Sequence, residues 1–195
     1  ASATKISFYV LARFAFTIFG LDFSFATMPL SIVLILLGVA GILYGSVMAI
    51  YQKDVKRMLA YSSIAQIGFI ALGIGLVTKL GLIASVVHFL NHGLAISALF
   101  LAVGCVVYRT GGARIENFSG IGKHMPGTMA AFLIAGLSII VVPGTAGFIS
   151  KWYFIQALLN EKLWILVIIV LTSSLLAVIY IWKVVEAAFF NPGNK

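Results

Sequence analysis

Charge is scarce in this sequence. Asp, Glu, Lys and Arg together make up 9% of its residues, and five are acidic, where a soluble domain carries about 25% charged residues. A water-facing surface of ordinary composition is therefore excluded. Cysteine is nearly absent too: Cys105 stands alone, which rules out a disulfide framework and leaves the redox compartment open. No Ser/His/Asp or Cys/His constellation of a soluble catalytic site is visible, and the Gly73-x-Gly75 spacing has no preceding strand that would make it a nucleotide loop. These glycines are packing surfaces before anything else. No stripe of basic and aromatic residues follows a phosphate backbone, so nucleic acid is not an expected partner.

Apolar residues fill the space that charge leaves. They form 62% of the chain, and the mean hydropathy is +1.14. Many of the nineteen glycines, and Pro143, lie inside apolar stretches, as membrane helices tolerate. Runs near the 20 residues needed to span a bilayer occur at Lys5 to Gly20, Leu30 to Tyr51, Met58 to Val77, Leu80 to Tyr108, Pro126 to Leu159 and Leu163 to Phe190. The fold class expected is an all-α membrane protein of six transmembrane helices, with residues 1–195 a single transmembrane domain in contact with the lipid bilayer.

The fifth run cannot be one straight helix. At 34 residues it would reach about 51 Å, against about 30 Å of hydrocarbon. Pro143, Gly144, Thr145 and Gly147 supply the break: proline removes a backbone donor and clashes with the preceding turn, and glycine permits non-helical dihedrals.

Orientation follows from the loops. Lys53, Lys56, Arg57, Arg109, Arg114 and Lys123 fall on one side, and Lys79 and Lys162 on the other. The positive-inside rule makes the first side cytoplasmic and puts both chain ends there, in the cell's inner (plasma) membrane. The formal charge of +8 is then mostly a topology signal. The chain opens Ala1-Ser2-Ala3-Thr4-Lys5, with no initiator Met and no signal peptide, and is expected to be a piece of a longer subunit.

Few residues remain to carry chemistry. Lys5, His88, His92 and Lys151 lie within apolar spans. An ionisable group in a membrane is costly and by default faces the bundle interior, marking an ion or proton path. Lys5 is near a helix end, where snorkelling to the interface is the competing explanation. Lys151 lies one to two turns past the break, too deep to snorkel easily, and broken helices in transporters set half-helix ends around ion sites. His88 and His92 share a helix face at i,i+4, the spacing of a relay or a metal pair. Asn91 is their one other polar neighbour and Cys105 is about 20 Å along the same helix, so no metal is expected. Haem is disfavoured as well, since two axial ligands must approach from opposite faces, and no other cofactor is expected. The alternative for the pair is neutral histidine bonded within the bundle. Ser62, Ser63 and Gln66 form a polar strip that lines water or joins helices. Arg13 and Asp22 read as interfacial, and Lys183 with Glu186 as a local i,i+3 pair.

Three motifs carry a resemblance over essentially the whole chain. Asp54-Val55-Lys56-Arg57-Met58-Leu59-Ala60-Tyr61-Ser62-Ser63, continuing through Gln66 to Gly68, resembles the D-x-K-R-x-x-A-Y-S-S/T signature of the antiporter-like subunits of complex I and Mrp cation/proton antiporters. His88-Phe89-Leu90-Asn91-His92-Gly93 resembles their histidine helix. Val142-Pro143-Gly144-Thr145-Ala146-Gly147-Phe148-Ile149-Ser150-Lys151-Trp152-Tyr153 resembles their second broken helix with its lysine. The resemblance implies a fourteen-helix fold with two inverted repeats, of which this chain holds the eighth helix and the second repeat. Lys5 then matches the central lysine and Lys151 the terminal one. The first repeat's glutamate and lysine are absent here, so the missing N-terminal half and other membrane subunits of a hetero-oligomeric assembly are the implied partners.

The implied function is proton translocation in a monovalent cation/proton antiporter, with a complex I-like or hydrogenase-linked pump as one alternative and a structural membrane module as the other. The Phe148 to Tyr153 wording is most similar to the Mrp antiporter branch of the family. Gln66 stands where many members have histidine and Ile96 where some have lysine, which implies a sparser relay. The topology has a direct check. Cysteines placed at Lys79 and Arg114 should be labelled from opposite sides of the membrane, and labelling of both from one side would remove the six-span arrangement.

Overall fold

The structure, a computed structural model, describes residues 2–18 and 29–191, without the side chains of residues 2–5, 8, 15 and 16. Among these residues the chain is helical. Helix α1 (Ser2–Arg13) runs into a π-helical turn at Phe14–Ile18. Helices α2 (Leu30–Tyr51), α3 (Val55–Gly75) and α4 (Lys79–Thr110) follow. Short helical turns at Ile115–Phe118 and α5 (Ile121–His124) lead to α6 (Pro126–Ile140), α7 (Ala146–Asn160) and α8 (Trp164–Phe189).

Four of these helices, α2, α3, α4 and α8, are long and apolar enough to cross a membrane. The fifth predicted run is divided as its length required, into α6 and α7 of 15 residues each, about 22 Å apiece. The first predicted span is described as far as Ile18. Gly147, assigned to the break from sequence, lies instead in the first turn of α7. Helix α4 follows the predicted Leu80 to Tyr108 run and extends it by one residue at its start and two at its end, whereas the π-turn had no signal in the apolar pattern.

Caps mark where the helices stop. The Asp54 carboxylate accepts from the Arg57 amide at 3.0 Å to open α3, and Thr78 Oγ1 accepts from the Gly81 amide at 3.0 Å to open α4, each satisfying a donor left over at a helix start. Gly111, at φ 77°, closes α4 in the left-handed conformation that glycine adopts without strain.

The ends sort as the loop charges predicted. The Val55 amide donates to Ala113 and the Ile115 amide to Lys53, so the two basic loops run side by side at one end. There Lys183 Nζ donates to the Ile50 carbonyl at 2.7 Å. It caps the C-terminus of α2, where the sequence suggested a pair with Glu186, because the last carbonyls of a helix attract a cation. Thr78, Lys79 and Glu161 gather at the other end. Arg13 is exposed at the end of α1, and Asp22 lies outside the described residues.

Apolar burial does not by itself pull helices together in lipid, so close backbone approach has to. The contact of α2 with α3 is built that way. A Cβ at Gly38 would sit 2.8 Å from the Gly68 carbonyl oxygen and from the Leu72 amide nitrogen, and one at Gly68 would sit 2.6 Å from the Gly38 oxygen. The main apolar cluster lies toward the basic end and joins α3, α4, α6 and α8 through Met58, Leu59, Leu99, Phe132 and Val184. Gly68→Leu should force α2 from α3 and destabilise the protein by at least about 1–3 kcal/mol, read as a lower unfolding midpoint in detergent.

Candidate functional site

The break is held open by defined contacts. Helix α6 ends with Val141 in the left-handed region at φ 81°, an uncommon state for a β-branched residue that costs about 1–3 kcal/mol. Gly144 follows at φ 91°, which glycine adopts freely. Backbone groups freed at membrane depth must be satisfied by protein or water, and side chains nearby do so. Asn91 Nδ2 on α4 donates to the Ala146 carbonyl at 2.7 Å. The Gly147 amide donates to Ser138 Oγ on α6 at 3.1 Å, and Thr145 Oγ1 donates to the Val142 carbonyl at 2.7 Å. Gly147 is required for a steric reason: a Cβ there would run into the Ser138 carbonyl oxygen.

Beyond the break, α7 turns Ser150 and Lys151 inward, 0% and 1% exposed. Lys151 Nζ donates to Ser174 Oγ on α8 at 2.9 Å and stands 4.6 Å from the centroid of the Phe69 ring, close enough for a cation–π contact. On α4, His88 and His92 are buried, with ring centroids 6.1 Å apart and near-parallel planes. Phe69 and Phe154 lie edge-on to the His88 ring, each with its centroid 5.6 Å away.

Ser150 fixes the orientation of His88. Its hydroxyl donates to the Gly147 carbonyl at 2.9 Å and lies 3.0 Å from His88 Nδ1. A hydroxyl has one proton to give. With that proton on Gly147, Ser150 accepts from Nδ1–H, which places the basic lone pair of the neutral ring at Nε2.

His88, His92, Lys151, Gln66, Asn91 and Ser138 line one narrow cavity of about 10 Å³, about the threshold for a single water. Two predicted histidines, the predicted lysine and one residue of the α3 strip thus meet in one place. The rest of the strip does not join them. Ser63 Oγ donates back to the Leu59 carbonyl of its own helix at 2.9 Å, and Ser62 is buried a turn nearer the basic end. The Lys5 side chain lies outside the described residues.

Sequence reading passed over Ser138, Ser150 and Ser174, and the part played by Asn91. Their signal was faint but present: small polar residues within apolar spans tend to face protein.

A family described as NADH:quinone oxidoreductase/Mrp antiporter, transmembrane, matches residues 1–177. The chain belongs to this family. It is 43% identical over 194 residues to NADH-quinone oxidoreductase subunit N of Desulforudis audaxviator, covering 98% of this chain and 38% of that protein. It superposes on a chain of the Mrp complex from a Dietzia species with a TM-score of 0.90 and 27% identity, over 98% of this chain and 35% of the other. A chain of the membrane-bound sulfane sulfur reductase, an archaeal respiratory membrane complex, matches with a TM-score of 0.85 and 34% identity, over 96% and 39%. The chain spans about two fifths of the length of these three relatives.

The hydroxyl contacts make a stability prediction. Ser174→Ala would strip the buried Lys151 ammonium of its hydroxyl acceptor and should cost about 1–3 kcal/mol. Ser63→Ala, which removes only a bond within one helix, should cost about 1 kcal/mol or less. Unfolding midpoints of the two variants in detergent check the ordering.

Proposed function

We propose that this chain carries the second proton half-path of an antiporter-like membrane subunit, with Lys151 loading and releasing a proton that His88 and His92 pass along. The observation that supports this best is the burial of Lys151 just past a helix break, in the same narrow cavity as both histidines. An apolar surrounding disfavours the charged form of an ionisable group, while Ser174 and the Phe69 ring support the ammonium. His88, with its proton held on Nδ1 by Ser150, can take a proton at Nε2 and return to neutral by releasing one. Lys5 on α1 is the continuation toward the rest of the subunit.

In this reading residues 1–195 act as one transmembrane domain of a longer subunit, in the plasma membrane with the basic end cytoplasmic. Other membrane subunits are its partners. The groove beside the break supports that, since it is lined by Ala95, Ala98, Ala131 and Ala135 of α4 and α6 together with the non-helical Gly144 and Thr145, and non-helical backbone at membrane depth needs protein or water against it rather than lipid. The transport coupled to the proton is exchange for Na⁺ or K⁺ in a cation/proton antiporter, a reading supported by the Phe148 to Tyr153 wording and the 0.90 TM-score to the Mrp complex chain. Coupling to quinone reduction is the second reading, favoured by the 43% identity to an NADH-quinone oxidoreductase subunit.

The test is proton flux in liposomes bearing the intact complex. Lys151→Ala should abolish flux with assembly intact, because loss of a buried ionisable group relieves a desolvation cost. Lys151→Arg should fail as well, since guanidinium does not deprotonate in proteins. Flux at the parental rate in Lys151→Arg would make Lys151 a fixed charge. Flux driven by a Na⁺ or K⁺ gradient without quinone indicates the antiporter, and flux only with quinone turnover indicates the pump.

A further inference from the structure

Tyr180 on α8 is 1% exposed and is packed in the apolar cluster with Met58, Leu59, Leu99, Ile181 and Val184. Phenylalanine would fill that place without the cost of burying a hydroxyl among apolar side chains. The polar group that meets it is Ser62 on α3, which is 0% exposed and near enough to interact with the phenol. That contact stops short of a well-formed hydrogen bond, for Ser62 Oγ has no partner at good geometry among the described residues. A fully buried hydroxyl in that condition points to a water or to an exchanging bond.

Position gives the pair a use. Ser62 and Gln66 share one face of α3 at i,i+4, about 6 Å apart along the axis, and Gln66 lines the cavity with His92 and Lys151. On the other side, Tyr180 stands one turn before Lys183, which donates to the Ile50 carbonyl at the basic end. Tyr180 and Ser62 thus interrupt the apolar packing between the histidine cavity and that end. Hydroxyls of Ser and Tyr each donate and accept. A proton taken by one oxygen is matched by release of that oxygen's own proton to the next, so the hydroxyls carry it onward and are left neutral.

We infer that Tyr180 and Ser62 continue the proton path from the Gln66–His92 cavity to the basic end of the molecule. This rests on the reading of Lys151 as the proton carrier. The experiment uses the full-length subunit in its complex, reconstituted in liposomes loaded with a pH-sensitive dye, with flux normalised to assembled complex. Tyr180→Phe keeps the ring and should lower flux at least tenfold with an unchanged unfolding midpoint. Ser62→Ala should lower it several-fold, and the double variant should be no slower than Tyr180→Phe, as for two members of one path. Lys151→Ala is run beside them. If it is silent while Tyr180→Phe transports at the parental rate, the Tyr180 assignment is overturned and the Lys151 reading stands. A lower midpoint in Tyr180→Phe with parental flux per complex also overturns it, as a packing role. Parental flux in Lys151→Ala overturns both.

Discussion

A helix interrupted in hydrocarbon leaves amides and carbonyls that lipid cannot satisfy, and each left unmet costs several kcal/mol. The region from Val141 to Thr145 creates that demand, and much of the surrounding polar chemistry answers it. Asn91 reaches across from α4 to the Ala146 carbonyl, Ser138 receives the Gly147 amide, and Thr145 and Ser150 each donate to a carbonyl of their own segment. The contacts that satisfy the break also tie α4 to α7. They hold His88 and His92 against the start of the helix that carries Lys151, so backbone satisfaction and the assembly of the site are one arrangement.

Lys151 is fully buried, with one hydroxyl and one aromatic face beside its ammonium. Among the described residues, no carboxylate lines its cavity. A carboxylate there would hold the ammonium strongly in one state, whereas a hydroxyl and a ring hold it weakly. That weakness suits the proton-carrier role proposed for Lys151. Phe69 and Phe154 pack edge-on against His88, and the cavity that the histidines and Lys151 line has roughly the volume of one water, so the proposed transfer through it would be by short hops.

Close packing elsewhere keeps these distances. Backbone contact between α2 and α3 at Gly38 and Gly68 fixes the helix that carries Gln66 and Phe69. The Ser46 and Ser173 hydroxyls, 2.9 Å apart and buried, join α2 to α8 beside Ser174. Polar contacts of this kind substitute for the hydrophobic attraction that lipid removes.

Composition and periodicity alone determined the membrane class, the limits of the four long spans to within a few residues, the position of the helix break, and which loops share an end, because hydrocarbon thickness and backbone satisfaction act on local sequence. They also singled out His88, His92 and Lys151, since an ionisable residue in an apolar run is conspicuous. Tertiary structure decided what local sequence could not hold. It divided three nearby polar residues of α3 into a cavity-lining Gln66, a back-bonded Ser63 and a Ser62 set against Tyr180. It turned Lys183 from Glu186 to the end of α2 and brought Ser174 to Lys151 from 23 residues away. A serine or tyrosine costs little enough to bury that apolar patterning does not mark its partner. Which hydroxyl meets which cation is settled by the register of packed helices, and that register depends on contacts far apart in the chain.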